Sequence, residues 1–320
     1  MQERPAKQTK AATQDARFLV LMATYNGARY LPEQLASLRD QSVSRIAVLA
    51  SDDGSRDETR TVLSAEAARW EAGRFDIVDG PKDGFAENFR SLVLRAGRDA
   101  DFYAFCDQDD LWEPDKLETA AARLATCPAS QPAVYCGATR TLLEDGSSPG
   151  TSPIMRRTPS FRNALVQSIA GGNTMVMNRA AFDLVRRACE DVRFVSHDWW
   201  VYIVVSGAGG TVIYDPVPRV SYRQHGGNLV GSNASIPAKL RRVLALFGNR
   251  YRAWHDVNLA ALRAKKGLLS AENAAIVEEF DTARAKGGVG FALANRRLGL
   301  YRQSVPGNVM LFLGAILGKI

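Results

Sequence analysis

Short apolar runs alternate with amphipathic stretches along the first half of the chain. The apolar run in Arg17–Ala23 predicts a buried strand, after which Leu31 and Leu35 recur on one face of a predicted helix. The same alternation predicts further strands at Ile46–Ala50, Phe75–Val78 and Phe102–Cys106, and helices from Ser55 to about Trp70 and at Phe85–Ala96. This order predicts an α/β fold in which helices cover a mostly parallel sheet.

The pattern is less regular beyond this region. It predicts a loop at Gly146–Pro153, a short strand at Met175–Asn178, helices near Arg179–Cys189 and from His197 onward, and a hairpin from Thr211 to Tyr222. Two helix starts carry local signals. Ser55 and Glu58 have the spacing of a capping box, and Pro114 suits the first turn of a helix.

The net charge of +7 is concentrated in the C-terminal part. Residues 236–320 hold 14 Lys and Arg against 5 Asp and Glu, whereas the remainder holds 27 against 29. We therefore expect a disordered leader at residues 1–16, a catalytic domain at 17–235 and a basic helical region at 236–320. The basic region has no nucleic-acid-reading motif, so we expect an anionic membrane surface as its partner.

Two segments of the C-terminal region bear on that expectation. Lys239–Phe247 alternates basic and apolar residues at helical spacing, which fits either a helix on an anionic leaflet or one packed on the catalytic domain. Val309–Leu317 is apolar but far shorter than the roughly 20 residues of a membrane span, and it fits an interfacial, core or oligomer contact. The N-terminus lacks a signal-peptide core and the four cysteines form no CxxC pair, so we expect a cytoplasmic location, peripheral on the membrane.

Polar clusters follow three of the predicted strands. These are Thr24, Tyr25 and Asn26 after the first, Asp52 and Asp53 after the second, and Asp107 and Asp109 after the fourth. The carboxyl ends of parallel strands meet at one edge of a sheet, where doubly wound folds bind ligands. We therefore expect the three loops to form one crevice, with Asp52 or Asp53 accepting from a base N–H or a ribose hydroxyl.

Asp107 and Asp109 straddle one residue directly after a buried strand. Both carboxylates can therefore approach one point, which suits Mg²⁺ or Mn²⁺ because these ions prefer oxygen ligands and keep phosphate oxygens and waters. The alternative is a solvated acidic turn before a helix.

Asp198 is the candidate general base, since it lies beside His197, Trp199 and Trp200 and a partly dry carboxylate can have a raised pKa. A helix cap with tryptophans in the core is the alternative explanation. Farther along, His225 is a candidate for the metal shell and Arg223 for the diphosphate, unless this stretch is only a polar surface loop.

Five ordered segments between about Phe18 and Gly231 resemble glycosyltransferase family 2, in particular its bacterial rhamnosyltransferase-like members. The segments are ATYNGARYLPEQLASLRDQS, SDDGSRDET, CDQDDLWEPDKLE, HDWW and YRQHGGN. The resemblance implies a GT-A fold, an inverting single displacement and a donor held through its diphosphate to a divalent metal.

By the same resemblance, Thr24 and Tyr25 fall in the first nucleotide-contacting loop. Asp107 lies near the ribose and the metal, Asp109 is the principal metal carboxylate, and Asp198 takes the place of the acidic base. Many members have Glu-Asp where this chain has His197-Asp198, which leaves the role of His197 open. We further expect Gly172, Asn173, His197, Trp199 and Trp200 to line the sugar pocket.

These observations predict transfer of a sugar to a cell-surface polysaccharide or to a lipid-linked precursor. The resemblance implies that the sugar is L-rhamnose carried on dTDP, with UDP as an alternative carrier. Two rivals stay open. A sugar-nucleotide nucleotidyltransferase should carry a basic, Gly-rich signature after the first strand, which Ala23–Gly27 lacks. A non-catalytic nucleotide-sugar or glycan-binding module would have no use for Asp198.

Overall fold

The computed structural model describes residues 15–225 and 250–320. Within them are ten strands: β1 (Phe18–Thr24), β2 (Ile46–Asp52), β3 (Phe75–Asp79), β4 (Phe102–Cys106), β5 (Leu111–Trp112), β6 (Ala133–Gly137), β7 (Arg140–Leu143), β8 (Val176–Asn178), β9 (Thr211–Asp215) and β10 (Val220–Gln224). Seven of them form the central sheet in the order β3-β2-β1-β4-β8-β6-β9. In this sheet β8 runs antiparallel to β4 and β6, and the other pairs are parallel.

Helices cover both faces of the sheet. The α-helices among the described residues are α1 (Leu31–Arg39), α2 (Thr59–Ala67), α3 (Phe85–Arg95), α4 (Lys116–Leu124), α5 (Phe161–Ala164), α6 (Arg179–Cys189), α7 (His197–Gly207), α8 (Arg250–Ala264), α9 (Ala271–Lys286), α10 (Gly288–Arg297) and α11 (Val305–Ile316). The sequence of strand β1 is apolar throughout because both faces of the strand are buried. Leu19 and Leu21 enter one core layer, and Val20 and Met22 enter the other.

The predicted α/β fold and the order of its first strands and helices are confirmed. The prediction of a hairpin from Thr211 to Tyr222 is wrong. Strand β9 pairs with β6 in the central sheet, whereas β10 pairs with β5 and β7 in a second, three-stranded sheet. The capping box is also wrong. The Ser55 hydroxyl donates to Asp52 instead, and α2 begins at Thr59. Pro114 precedes α4, whose N-cap is Asp115.

The C-terminal region is helical from Arg250 to Ile316 and packs on the catalytic part of the chain. Phe280 and Phe291 belong to the same buried cluster as Trp199 and the β4 residue Phe105. No described helix has both the length and the apolar character needed to cross a membrane. The predicted segment Lys239–Phe247, like most of the predicted leader, lies outside the described residues.

Candidate active site

The loops after β1 and β2 are joined by hydrogen bonds. Asn26 has a φ of +48°, a conformation that asparagine tolerates well. Its N–H donates to Ser55 Oγ at 2.9 Å, and its side-chain carbonyl accepts from the Arg56 N–H at 2.8 Å. Tyr25 is 54% exposed, so its ring is available on the open side of this loop pair. The structure thus brings the first two predicted clusters together.

The carboxylates of Asp52 and Asp53 both have protein partners. Asp52 is buried and accepts from the hydroxyls of Ser55 and Thr24, the latter at 3.4 Å. Asp53 accepts from the backbone N–H groups of Lys82 at 2.6 Å and Gly84 at 3.2 Å. Asp53 is the more exposed of the two, and a carboxylate has about four acceptor positions. It therefore keeps capacity for a ligand while it holds the loop after β3.

Gln108, between the two predicted metal carboxylates, connects β4 to the first loop. Its side-chain amide accepts from the Tyr25 N–H at 2.8 Å and donates to the Tyr25 carbonyl at 3.0 Å. Gly27 makes this possible, since a Cβ at that position would lie 2.1 Å from Gln108 Oε1. The absence of a side chain at Gly27 therefore makes room for the neighbouring Gln108 side chain.

Four carboxylates gather at the end of β4. Burial raises the pKa of Asp107 well above its usual range, and the charges of Asp110, Asp109 and Asp198 raise it further. Asp198 lies in the first turn of α7. His197, directly before Asp198, meets Phe105 of β4 edge-on, so the start of α7 lies beside the end of β4 although some 90 residues separate them in the sequence.

Asp110 was not singled out from the sequence, yet it is fully buried within this cluster. Burial, together with the charge of Asp109, raises the pKa of Asp110 to about 7. Its carboxylate accepts from the Asn173 side chain and from the Arg223 N–H, the latter at 3.1 Å. Asp110 thus joins the Gly172–Thr174 turn and β10 to the acidic loop, and it places Asn173 beside that loop, while the role of Asn173 in a sugar pocket stays a prediction.

The two residues predicted to share the metal are in contact. His225 Nε2 lies 2.7 Å from Asp109 Oδ2. The His225 ring also stacks on Tyr30, with ring centroids 4.6 Å apart, and the Tyr30 hydroxyl donates to Glu144 at 2.8 Å. Tyr30 therefore fixes the orientation of His225, a role that no sequence signal indicated.

Arg223 is mostly buried and bound within the protein. Its guanidinium donates to Glu33 and to the Asp109 carbonyl, the latter at 3.0 Å, and it lies over the Tyr30 ring. In this arrangement Arg223 positions the acidic loop, and its guanidinium is already engaged by Glu33 and by the Asp109 carbonyl.

His197 is enclosed by aromatic rings. It stacks on Phe89 with centroids 3.7 Å apart and meets Phe105 edge-on. Neither ring nitrogen has a hydrogen-bond partner among the described residues, and burial lowers the pKa of His197 to about 4. The imidazole is therefore neutral at pH 7. Its Nε2 lies against Gly172, because a Cβ there would be only 1.9 Å away.

Trp199 and Trp200 do not line the open pocket as predicted. They are 6% and 0% exposed, because α7 enters the core directly after Asp198. The Trp199 indole donates to the Ala164 carbonyl at 2.7 Å and meets Trp254 edge-on, while Trp200 stacks on Phe194. Both are packing residues, and Trp199 joins the catalytic part to α8.

Lys116 is another buried residue near this cluster that sequence reasoning missed. Its Nζ has no hydrogen-bond partner among the described residues and lies 2.9 Å from the centroid of the Trp112 ring. Burial lowers the pKa of Lys116 well below its usual range, while the nearby Cys106, Asp110 and Asp107 oppose that effect. The available signal was its position, because Lys116 is the first residue of α4 and shares the helix's buried face with Leu117 and Ala120.

The overall fold matches that of solved glycosyltransferases of the GT-A fold. Against the S. aureus TarS 1-349 complex with UDP-GlcNAc, the match covers 89% of this chain and 93% of that one at 16% identity, with a TM-score of 0.51. Against the mannosyltransferase PcManGT from Pyrobaculum calidifontis in complex with GDP-Man and Mn²⁺, the match covers 95% of this chain and 87% of that one at 18% identity, with a TM-score of 0.51. The protein therefore has the GT-A fold.

Sequence comparison then gives the family. The family model for glycosyl transferase family 2 matches residues 19–185, just over half of the chain, so the protein belongs to that family and is a glycosyltransferase. It is 28% identical over 243 residues to the dTDP-rhamnosyl transferase RfbG of Shigella flexneri, a match covering 72% of this chain and 80% of RfbG. Family membership decides against the nucleotidyltransferase and the non-catalytic module.

Proposed function

We propose that the protein transfers a sugar from a nucleotide-sugar donor to an acceptor hydroxyl with inversion, and that Asp198 is the general base. One observation carries this proposal. Asp198 lies in the first turn of α7 directly after His197, which meets Phe105 of β4 edge-on, and the charge of Asp198 raises the pKa of Asp107; this supports a proposed base and a donor-binding loop that border one space. Thr24, Tyr25 and Asn26, with Asp53, supply the nucleoside side of that space.

The reaction is a single displacement. The acceptor oxygen attacks the anomeric carbon while its proton passes to the Asp198 carboxylate, and the bond from that carbon to the diphosphate oxygen breaks. The nucleoside diphosphate leaves on the face opposite the attack, which inverts the configuration. Gly172 and Asn173 border the sugar, and neutral His197 fixes the shape of that wall without adding charge.

Asp107, Asp109 and His225 are the residues that would hold a divalent metal. Their chemistry fits Mg²⁺ or Mn²⁺, because four mutually repelling carboxylates lie here and carboxylate oxygens suit these ions. Among residues 15–225 and 250–320 no group of three or more His, Cys, Asp and Glu side chains is arranged to hold a metal ion, so phosphate oxygens of the donor and waters would have to supply the remaining ligands. When bound, the metal would stabilise the negative charge of the departing diphosphate.

The proposed donor is dTDP-L-rhamnose, which the similarity to RfbG supports. The proposed acceptor is a cell-surface polysaccharide or its lipid-linked precursor, met at the cytoplasmic face of the membrane. Another nucleotide-sugar, such as a UDP-sugar, is the alternative donor and fits the same fold.

Replacing Asp198 with Asn tests the base. Transfer should fall by about 10²–10⁴-fold, because the acceptor proton loses its carboxylate, while donor affinity should stay near the wild-type value. Transfer is measured with a panel of nucleotide-sugars, dTDP-L-rhamnose among them, and affinity by calorimetry. Asp183→Asn is the control, since Asp183 pairs with Arg98 on the surface. An equal loss of binding and turnover would assign Asp198 a structural role instead.

Replacing Asp109 with Ala tests the metal. Wild-type transfer should be lost in EDTA and return with Mn²⁺ or Mg²⁺, and the variant should need far more metal for half-maximal rate. Asp115→Ala is a matched control, because Asp115 pairs with Arg219 instead. Wild-type rates for Asp109→Ala with EDTA present would rule out the metal.

A further inference from the structure

Helix α11 has two faces of the same apolar character but opposite exposure. Leu311 and Ala315 face inward and are 5% and 0% exposed. On the opposite side an apolar stripe faces outward at helical spacing, made of Val305, Val309, Phe312, Leu313 and Leu317. We call these five residues the α11 stripe. Leu317 directly follows the helix, and the five are 41% to 78% exposed.

The stripe holds a large share of the exposed apolar side chains. Only twelve large apolar residues are exposed among those the structure describes, and five of them form this stripe. The helix itself is held firmly, since Arg252 donates to the Gly318 carbonyl and Arg284 to the Ile320 carbonyl. The stripe is thus a fixed surface of the folded protein. A contiguous exposed apolar patch of this kind marks a contact surface.

The sequence around the stripe carries positive charge alone. From Thr282 to Ile320 there is no Asp or Glu, whereas six basic residues occur, namely Arg284, Lys286, Arg296, Arg297, Arg302 and Lys319. Two of the six are paired with carboxylates outside this segment, Arg284 with Asp256 and Arg297 with Glu279. Arg296 is exposed one helix earlier, on α10, which packs against α11. An apolar surface with basic neighbours complements an anionic lipid surface, where acyl chains receive the apolar residues and head groups receive the charges.

We propose that the α11 stripe docks the protein on the surface of an anionic bilayer. A second copy of the chain is a weaker fit, because a two-fold contact would place the same basic segment against itself. The inference rests on the proposed place of action at the membrane and is independent of the sugar transferred. It identifies the surface of the protein that would contact the membrane. The enzyme would then meet lipid-linked acceptors in a fixed orientation.

Vesicle sedimentation with the full-length protein tests the proposal. The wild type should pellet with vesicles of phosphatidylcholine mixed with phosphatidylglycerol, less so with phosphatidylcholine alone, and binding should weaken as salt rises. Val309→Glu should reduce binding by about tenfold, and Val309→Glu with Leu313→Glu by more, since a charge then enters the apolar contact. Val217→Glu should bind normally, because Val217 is 53% exposed, as Val309 is at 52%, but lies outside the stripe.

The other outcomes are distinct. Wild-type protein that stays in the supernatant, or Val309→Glu that pellets as well as the wild type, overturns the proposal. So does sedimentation velocity showing an oligomer that Val309→Glu dissociates without any vesicle binding. Thermal unfolding confirms that each variant folds. Asp198→Asn should pellet normally, so failure of the proposed chemistry and failure of docking are distinguishable.

Discussion

The position of the His197 side chain beside the proposed site depends on Gly172 having no Cβ atom. The imidazole is stacked on Phe89 and has Phe105 at its edge, so it has no room to retreat from Gly172. Its nitrogens lack partners among the described residues, which means that packing alone sets its position. A substitution at Gly172 that displaces His197 would therefore also shift Asp198, the next residue in the chain.

Gly172→Ala is therefore expected to damage both stability and activity. The new Cβ would lie 1.9 Å from His197 Nε2, and overpacking of this kind costs about 1–3 kcal/mol of unfolding free energy. Urea unfolding and a transfer assay measure the two effects. Gly267→Ala is the control, since a Cβ there meets nothing within 4 Å. A Gly172→Ala protein with wild-type stability and rate would show that the His197 wall is pliable.

Sequence reasoning at this scale found residues whose chemistry is conspicuous. Asp107, Asp109, Asp198 and His225 are polar residues at predicted element ends, and the structure brings them together. It missed Tyr30, whose contacts are with residues far away in the chain. The ring beneath His225 can be identified only once β10 is placed beside the acidic loop.

The loops of the site behave as one unit at the scale of elements, and Gln108 is the link between β1 and β4. Both hydrogen bonds of its amide go to the Tyr25 backbone. Tyr25 therefore keeps its place relative to Asp107 and Asp109 without a ligand present. Gln108 therefore preorganises the proposed donor site, although it is neither a proposed metal ligand nor the proposed base.

Gln108→Ala should weaken donor binding by about tenfold, because two hydrogen bonds of roughly 1 kcal/mol each are lost and the first loop is released. The effect should fall mainly on KM, since Asp198 is unchanged. Steady-state kinetics with varied donor measure it. Gln131→Ala is the matched control, because Gln131 bonds to Thr211 at a distance from these loops. A change confined to kcat would contradict a role in donor positioning.

The order of elements was predictable because each early strand is a local apolar run with helices between, as in β1 and β4. Pairing was harder. Strands β9 and β10 are close in sequence yet belong to different sheets, since β10 pairs with Leu111–Trp112 and Arg140–Leu143. Leu111–Trp112 is too short, and Arg140–Leu143 is short and mixed in polarity, so neither stands out in the pattern of apolar residues.

The catalytic part and the C-terminal helices share one buried core at the scale of the whole molecule. Trp199 meets both Trp254 and His255 of α8, and His255 faces Phe280 of α9. Asn273 in α9 also donates to the Gly207 carbonyl at the end of α7. The helix that carries Asp198 is thus supported from behind by the C-terminal region.

Phe280→Ala should consequently destabilise the entire protein. Phe280 is fully buried in the shared core, and such a truncation costs about 3–5 kcal/mol. Unfolding should remain a single transition when followed both by tryptophan fluorescence and by loss of donor binding, because the same core supports α7 and α9. Phe312→Ala is the control in the same region, since its ring is 41% exposed and its loss should change stability little. Two separate transitions, with donor binding unaffected by the first, would instead show that the helical region folds independently and leaves the Asp198 helix intact when it opens.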